Sequence, residues 1–204
     1  MAVNPHTGAL LGRRGRLELD EVLAALVVDG YLTGEDAKRV RMSSRSGKSA
    51  VELHPLVLIA SGKMDNRRDL GRPLSLEGLV EWLAGKAELP YLKIDPMKVN
   101  VAQVTQAVSS AYAQRHRILP VAASSTEVTF ATAEPFDAGW ANDLAHMLRR
   151  DVRRVVSNPI DINRYLLEFY GVQRSIQLAQ DAKGNGALGI LSASGLVSLC
   201  KNYG

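Results

Sequence analysis

Leu89 to Asp137 reads LPYLKIDPMKVNVAQVTQAVSSAYAQRHRILPVAASSTEVTFATAEPFD, and this stretch decides the fold. It opens on a short apolar run, Tyr91 to Ile94, stopped by Asp95-Pro96. Proline has no N–H for a ladder and pushes the residue before it to an extended conformation, so the run reads as a short strand. Asn100 as N-cap, then Val101, Val104, Val108 and Ala111 on one face, predict a helix. Ile118 to Ala122 and Val128 to Ala131 read as strands. Ser124-Ser125-Thr126 between them supplies turn chemistry, which makes the pair a hairpin. Glu134-Pro135-Phe136-Asp137 closes the third strand and leads into a helix running from Gly139 to Arg150.

The order strand–helix–hairpin–helix is the skeleton of an α+β domain with a roughly four-stranded sheet. Val152 to Val156 supplies another strand and Ile160 to Tyr170 another helix. Asn158 serves as N-cap, Pro159 as first helical residue and Gly171 as the stop.

Four short helices precede this unit and predict a small helical subdomain. Leu19, Val22, Leu23, Leu26 and Val27 fall at helical spacing before Gly30. Thr33 with Asp36 forms a capping box, and the helix it starts turns Ala37 and Val40 inward and Lys38, Arg39 and Arg41 outward. Ser43 to Ser49 reads as a polar break, His54-Pro55 starts a third helix ending near Gly62, and Lys63 to Pro73 as a charged loop. Ser75 caps a fourth helix with Leu76, Leu79, Val80 and Leu83 inward. The expected division is a flexible arm at 1–16, the helical subdomain at 17–88, the α+β domain at 89–171, and a linker helix with the start of a further connection at 172–204.

Composition sets limits. The chain has 204 residues, a net charge of +4 and few aromatics, which weakens any scheme of stacked nucleobases and argues against a nucleic-acid partner. Its one cysteine, Cys200, forms no internal disulfide and fits a reducing compartment. No run is long and apolar enough to span a bilayer, and the first residues lack the order of a secretory signal, so a cytoplasmic location is expected.

Several motifs fail on context. Ser46-Gly47-Lys48-Ser49 ends like a phosphate-binding loop, but Met42 stands where the earlier glycine must be and no strand feeds it. Gly184, Gly186 and Gly189 match G-x-G-x-x-G, yet a polar helical segment precedes them, and a linker is the better reading. His6, His54, His116 and His146 show no metal spacing, and Cys200 has no histidine context for nucleophilic catalysis. No catalytic residue, metal site or cofactor is assigned. Arg149, Arg150, Arg153 and Arg154 are the one charge cluster with a candidate role, docking an acidic partner. Cations at a helix end also have a purely structural use.

LPYLKIDP, RHRILPV, FATAEPFD and YLLEFYGV, in that order, resemble the N-terminal domain of type II secretion and type IV pilus assembly ATPases over Gly62 to Gly171. The resemblance implies a docking and regulatory module for the cytoplasmic part of an inner-membrane platform protein. It also implies a hexameric ATPase domain, using ATP and magnesium, beyond this stretch. No complete Walker A motif is present, so this chain itself is expected not to hydrolyse ATP. A related MshEN-type set binds cyclic di-GMP through tandem motifs with an R-L-G start, an L-x-x-x-G turn and a closing glutamine. Here Glu21, Val22 and Leu23 stand at R-L-G and Ser44 at the glutamine, while Leu26 and Gly30 fit the turn. In the second copy Leu53, His54 and Pro55 replace R-L-G, while Leu58 and Gly62 fit. Cyclic di-GMP sensing with a degenerate motif is therefore the alternative reading.

Overall fold

A computed structural model describes residues 15–45, 53–69, 72–175 and 178. Four helices come first: α1 (Leu19–Val28), α2 (Gly34–Arg45), α3 (Pro55–Ser61) and α4 (Leu76–Lys86). A 3-10 turn at Pro96–Lys98 leads to α5 (Val101–Val104) and α6 (Ser110–His116). The hairpin β1 (Ile118–Ala123) and β2 (Glu127–Thr132) follows, then α7 (Gly139–Leu148) and β3 (Asp151–Val156). A last helix, α8, covers residues 159–175. The fold is α+β.

Local chemistry sets the helix ends. α1 stops because Gly30 takes φ +76°, a conformation that costs any residue with a Cβ. The Tyr31 N–H then reaches the Leu26 carbonyl at 2.9 Å and the Gly30 N–H reaches Val27, the Schellman pattern. The Thr33–Asp36 box forms reciprocally: the Asp36 N–H donates to Thr33 Oγ1 at 3.1 Å and the Thr33 N–H to Asp36 Oδ2 at 3.0 Å. Those bonds, the Thr33 hydroxyl's first, hold the Asp36 carboxyl below its usual pKa. Ser75, Asn100 and Asn158 cap α4, α5 and α8 through their side-chain oxygens.

The sheet has order β1-β2-β3. β1 and β2 are antiparallel, with an irregularity between Pro120 and Ala122 that places Val121 as the extra residue. Proline cannot donate to the ladder, which is where a bulge is expected. β2 and β3 are parallel, joined through α7. Tyr91 adds a fourth edge by a single parallel bridge to Val156, held by Leu92 N–H to Val156 O and Val156 N–H to Pro90 O, both 2.8 Å.

Four sequence expectations are corrected. The helix predicted from Val101 through Ala111 breaks after Val104: Ser109 Oγ accepts the Tyr112 N–H and caps a new helix at Ser110, which leaves Ala111 exposed and Ala113 buried. The helix expected to reach Arg150 ends at Leu148. α2 runs through the first part of the expected polar break, to Arg45. Gly171 is no stop: α8 continues through residue 175, and the helix absorbs the glycine at a cost of about 1 kcal/mol against alanine. The Gly47 and Gly184–Gly189 motifs, Cys200, His6 and most of the 172–204 segment lie outside the described residues.

Two hydrophobic cores result. Leu23, Leu26, Leu56, Ile59, Leu79 and Leu83 centre the first, among α1–α4. Leu119, Phe130, Trp140, Leu144, Ile162 and Phe169 centre the second, between the sheet, α7 and α8. Val156, the last residue of β3, packs into the first core. Phe130 is 0% exposed and meets Trp140 edge-on at 5.6 Å. Phe130→Ala is expected to lower the unfolding free energy by about 3–5 kcal/mol in urea titration. A loss below about 1 kcal/mol would show that the second core is not centred there.

Candidate functional site

The four arginines of the predicted cluster do not share one face. Arg153 and Arg154 are neighbours on β3 and point to opposite faces of the sheet. Arg153 Nε sits 2.5 Å from Glu127 Oε2, and Arg154 Nη1 donates to the Pro135 carbonyl at 2.8 Å. Arg149 and Arg150 stand apart at the α7–β3 corner, both exposed. Arg149 ends α7 with φ +52°.

A second feature, unseen in the sequence, lies on the seam between the two cores. A cleft of about 350 Å³ is lined by Arg16, Leu17, Ser44, His54, Arg117 and Glu134, among others. A smaller hollow of about 80 Å³ continues from it past Val57 toward Ile160. His54 is the N-cap of α3, Arg117 the C-cap of α6, and the turn after β2 delivers Glu134. The cyclic di-GMP motif alignment reaches Ser44 and His54, but Arg16, Arg117 and Glu134 are far apart in sequence and belong to no motif.

Glu134 is 4% exposed. Its Oε2 accepts the Leu17 N–H at 2.7 Å, which satisfies a backbone donor at the entry to α1. Burial pushes the Glu134 carboxyl up; the Leu17 N–H and the charges of Arg117 and Arg16 pull it partly back. His54 is equally buried and doubly engaged. Its Nδ1 accepts the Leu56 N–H at 3.3 Å and caps α3, while Nε2 lies 3.1 Å from the Ala133 carbonyl. A carbonyl only accepts, so the proton sits on Nε2 and the ring is neutral. Burial, aided by nearby Arg117, depresses the imidazole to about 4 despite the Ala133 bond. The 3.6 Å approach of Nε2 to Glu134 Oε1 is therefore a contact and not an ion pair.

A second carboxylate closes the other end of the seam. Glu77 on α4 accepts from the Tyr91 hydroxyl, and its Oε1 accepts Asn158 Nδ2 at 3.0 Å. These bonds outweigh burial and keep Glu77 below its ordinary value. Of the remaining histidines, His116 closes α6 against Tyr112 at 4.4 Å, and His146 Nδ1 meets the Asn142 carbonyl. Among the described residues no group of three or more His, Cys, Asp or Glu could hold a metal ion. No helix among them is long and apolar enough to cross a membrane.

Val22, Leu23 and Leu26, at positions aligned with the cyclic di-GMP motif, are all fully buried in the first core. The second copy differs: Leu53, His54, Pro55 and Leu58 line the seam cleft together with Ser44.

The seam makes stability depend on pH. An exposed histidine takes its proton near 6.5, whereas His54 resists protonation in the fold down to about 4. Between those values the unfolded chain binds the extra proton, so stability falls as pH drops from 6.5 toward 4, by about 3 kcal/mol. Glu134, with its raised pKa, works oppositely: its contribution shrinks as pH rises through the folded value, and it offsets part of the acid loss. Urea unfolding of His54→Gln between pH 7.5 and 4 is expected to show a much shallower acid slope than the parent chain. Equal slopes would remove His54 as the cause.

Residues 87–176 match the MshEN domain. Over 161 residues the chain is 30% identical to the type IV pilus assembly ATPase TfpB of Acinetobacter baylyi, a match that takes in 78% of this chain and 27% of that protein. The chain thus spans about a quarter of the length of that curated relative. A solved structure of MshE with cdg shares the fold at a TM-score of 0.52 and 17% identity, covering 76% of this chain and 100% of that one. The N-terminal domain of XpsE aligns with 76% of this chain and 97% of its own at a TM-score of 0.36 and 18% identity.

Proposed function

In a chain that carries an MshEN domain at residues 87–176 and is homologous to a type IV pilus assembly ATPase, we propose a docking and regulatory role. The chain is the N-terminal part of a pilus assembly or type II secretion ATPase and binds the cytoplasmic part of an inner-membrane platform protein. It works on the cytoplasmic side, held at the membrane through that partner. ATP and magnesium belong to the hexameric ATPase portion of the full-length protein. In this reading no nucleotide chemistry, cofactor or nucleic-acid partner is assigned to this stretch, and among the described residues no group of three or more His, Cys, Asp or Glu could hold a metal ion. The observation that carries the reading is the homology across 78% of the chain to a pilus assembly ATPase.

A second reading, cyclic di-GMP sensing, is favoured by one observation. Leu53, His54 and Pro55, aligned with the second motif's R-L-G, line a cleft of about 350 Å³ in a fold shared with MshE with cdg. Against it, the arginine and glutamine of the motif are missing, and the first copy's aligned residues Val22 and Leu23 are spent on the core.

Calorimetry separates the two. The docking reading expects saturable micromolar binding to the cytoplasmic domain of a platform protein, no heat with cyclic di-GMP at high micromolar concentration, and only background phosphate release from magnesium-ATP. Silence with every platform candidate would overturn it, and saturable binding of cyclic di-GMP would install the second reading.

A further inference from the structure

The α7–β3 corner is basic and shallowly indented, open to solvent. Two hollows of about 480 and 560 Å³ meet there, sharing Ser125 and Arg150. The first holds Arg149 and the second Gln103 and Gln106. Neither Arg149 nor Arg150 has a carboxylate partner among the described residues, unlike Arg153, which is committed to Glu127. The side chains of Gln103, Gln106 and Ser125 are exposed and likewise unpartnered among the described residues. Ser124 is different: its hydroxyl already accepts the Glu127 N–H at 3.0 Å and fixes the β1–β2 turn. Met147 stands 62% exposed beside the groove.

The backbone adds to the case. Arg149 occupies the left-handed position at which helices favour glycine. The helix dipole rewards a cation there, yet Arg150, past the helix end, gains little from it.

We propose that this corner grips an extended acidic segment of the docking partner. Its carboxylates meet Arg149 and Arg150, its backbone amides and carbonyls meet Gln103, Gln106 and Ser125, and an apolar side chain covers Met147. Arginine's planar fork matches a carboxylate, and primary amides both donate and accept, as a peptide backbone requires. Polybasic membrane-binding segments carry about four to eight cations. Here the lining carries two guanidiniums and one carboxylate, Asp151, which fits a short peptide better than a lipid surface. The inference rests on the docking role and names the chemistry of the partner.

The test uses the full chain, isotope-labelled, titrated with a hexaglutamate peptide and followed by amide chemical shifts. Hexalysine and phosphatidylserine-containing vesicles are the comparison arms. Shifts confined to residues 103–106, 124–126 and 146–151 are expected, with binding weakened roughly tenfold or more in Arg149→Glu/Arg150→Glu and unchanged in Arg153→Gln. Arg149→Gly/Arg150→Gln guards against misfolding, since glycine suits the positive φ, and must also lose binding. Shifts spread over every basic residue, undiminished binding by either double variant, or a response to vesicles alone would overturn the proposal. Loss of hexaglutamate binding with platform-protein binding intact removes only this assignment. The reverse result removes the docking function and leaves the groove.

Discussion

A seam between two hydrophobic cores is held by two carboxylates, and the rest of the molecule depends on it. Glu134 secures the Leu17 N–H at one end and Glu77 secures Tyr91 and Asn158 at the other. An unpaired carboxylate buried in apolar surroundings is strongly disfavoured. Buried Glu134 relies on the Leu17 N–H that the opposite unit supplies, and half-buried Glu77 takes both of its donors, Tyr91 and Asn158, from across the seam. The two cores are thereby made mutually dependent, and Val156, at the end of β3, packs across the same boundary. The dependence is chemical as well as geometric: a neutral His54 bonds the first unit's α3 to Ala133 of the second.

With the seam fixed, the helix ends become the outward-facing chemistry. Among the described residues four non-glycine residues take positive φ: Lys63, Glu88, Arg117 and Arg149. Each follows or closes a helix. A residue with a Cβ pays about 1 kcal/mol or more for that conformation. At three of the four positions the charge is positive, which the carbonyl end of a helix favours. Arg117 then turns its charge inward toward Glu134, while Arg149 presents its own to solvent. One device thus serves the seam in one place and a surface in another. A scaffold of this kind takes its function from such grafted features more than from its topology.

Local features were legible in the sequence because local chemistry decides them. Thr33 with Asp36, Ser75, Asn100 and Asn158 all cap as their residue types predict, and the Ser124–Thr126 turn makes the hairpin. The break after Val104 was hidden because Val101, Val104 and Val108 keep helical spacing, and Ser109 reads equally well inside a helix or at its start. Gly171 looked like a stop because glycine commonly ends helices, but the stretch beyond it continues the turn. The bonds across the seam were not legible, although the motif alignment touched Ser44, Leu53, His54 and Pro55 on its wall. Leu17 and Glu134 are 117 positions apart, and His54 and Ala133 are 79. Only the packed fold brings them together, so a lone histidine before a proline read merely as a helix start. The arginine cluster was visible as composition, but alternation along β3 divides it in a way that charge counting cannot show.

Scanning calorimetry of the whole chain tests the shared seam most directly. If the carboxylates make each core depend on the other, unfolding is one transition with calorimetric and van 't Hoff enthalpies that agree. Two resolved transitions, one for the helical unit and one for the sheet, would contradict the account.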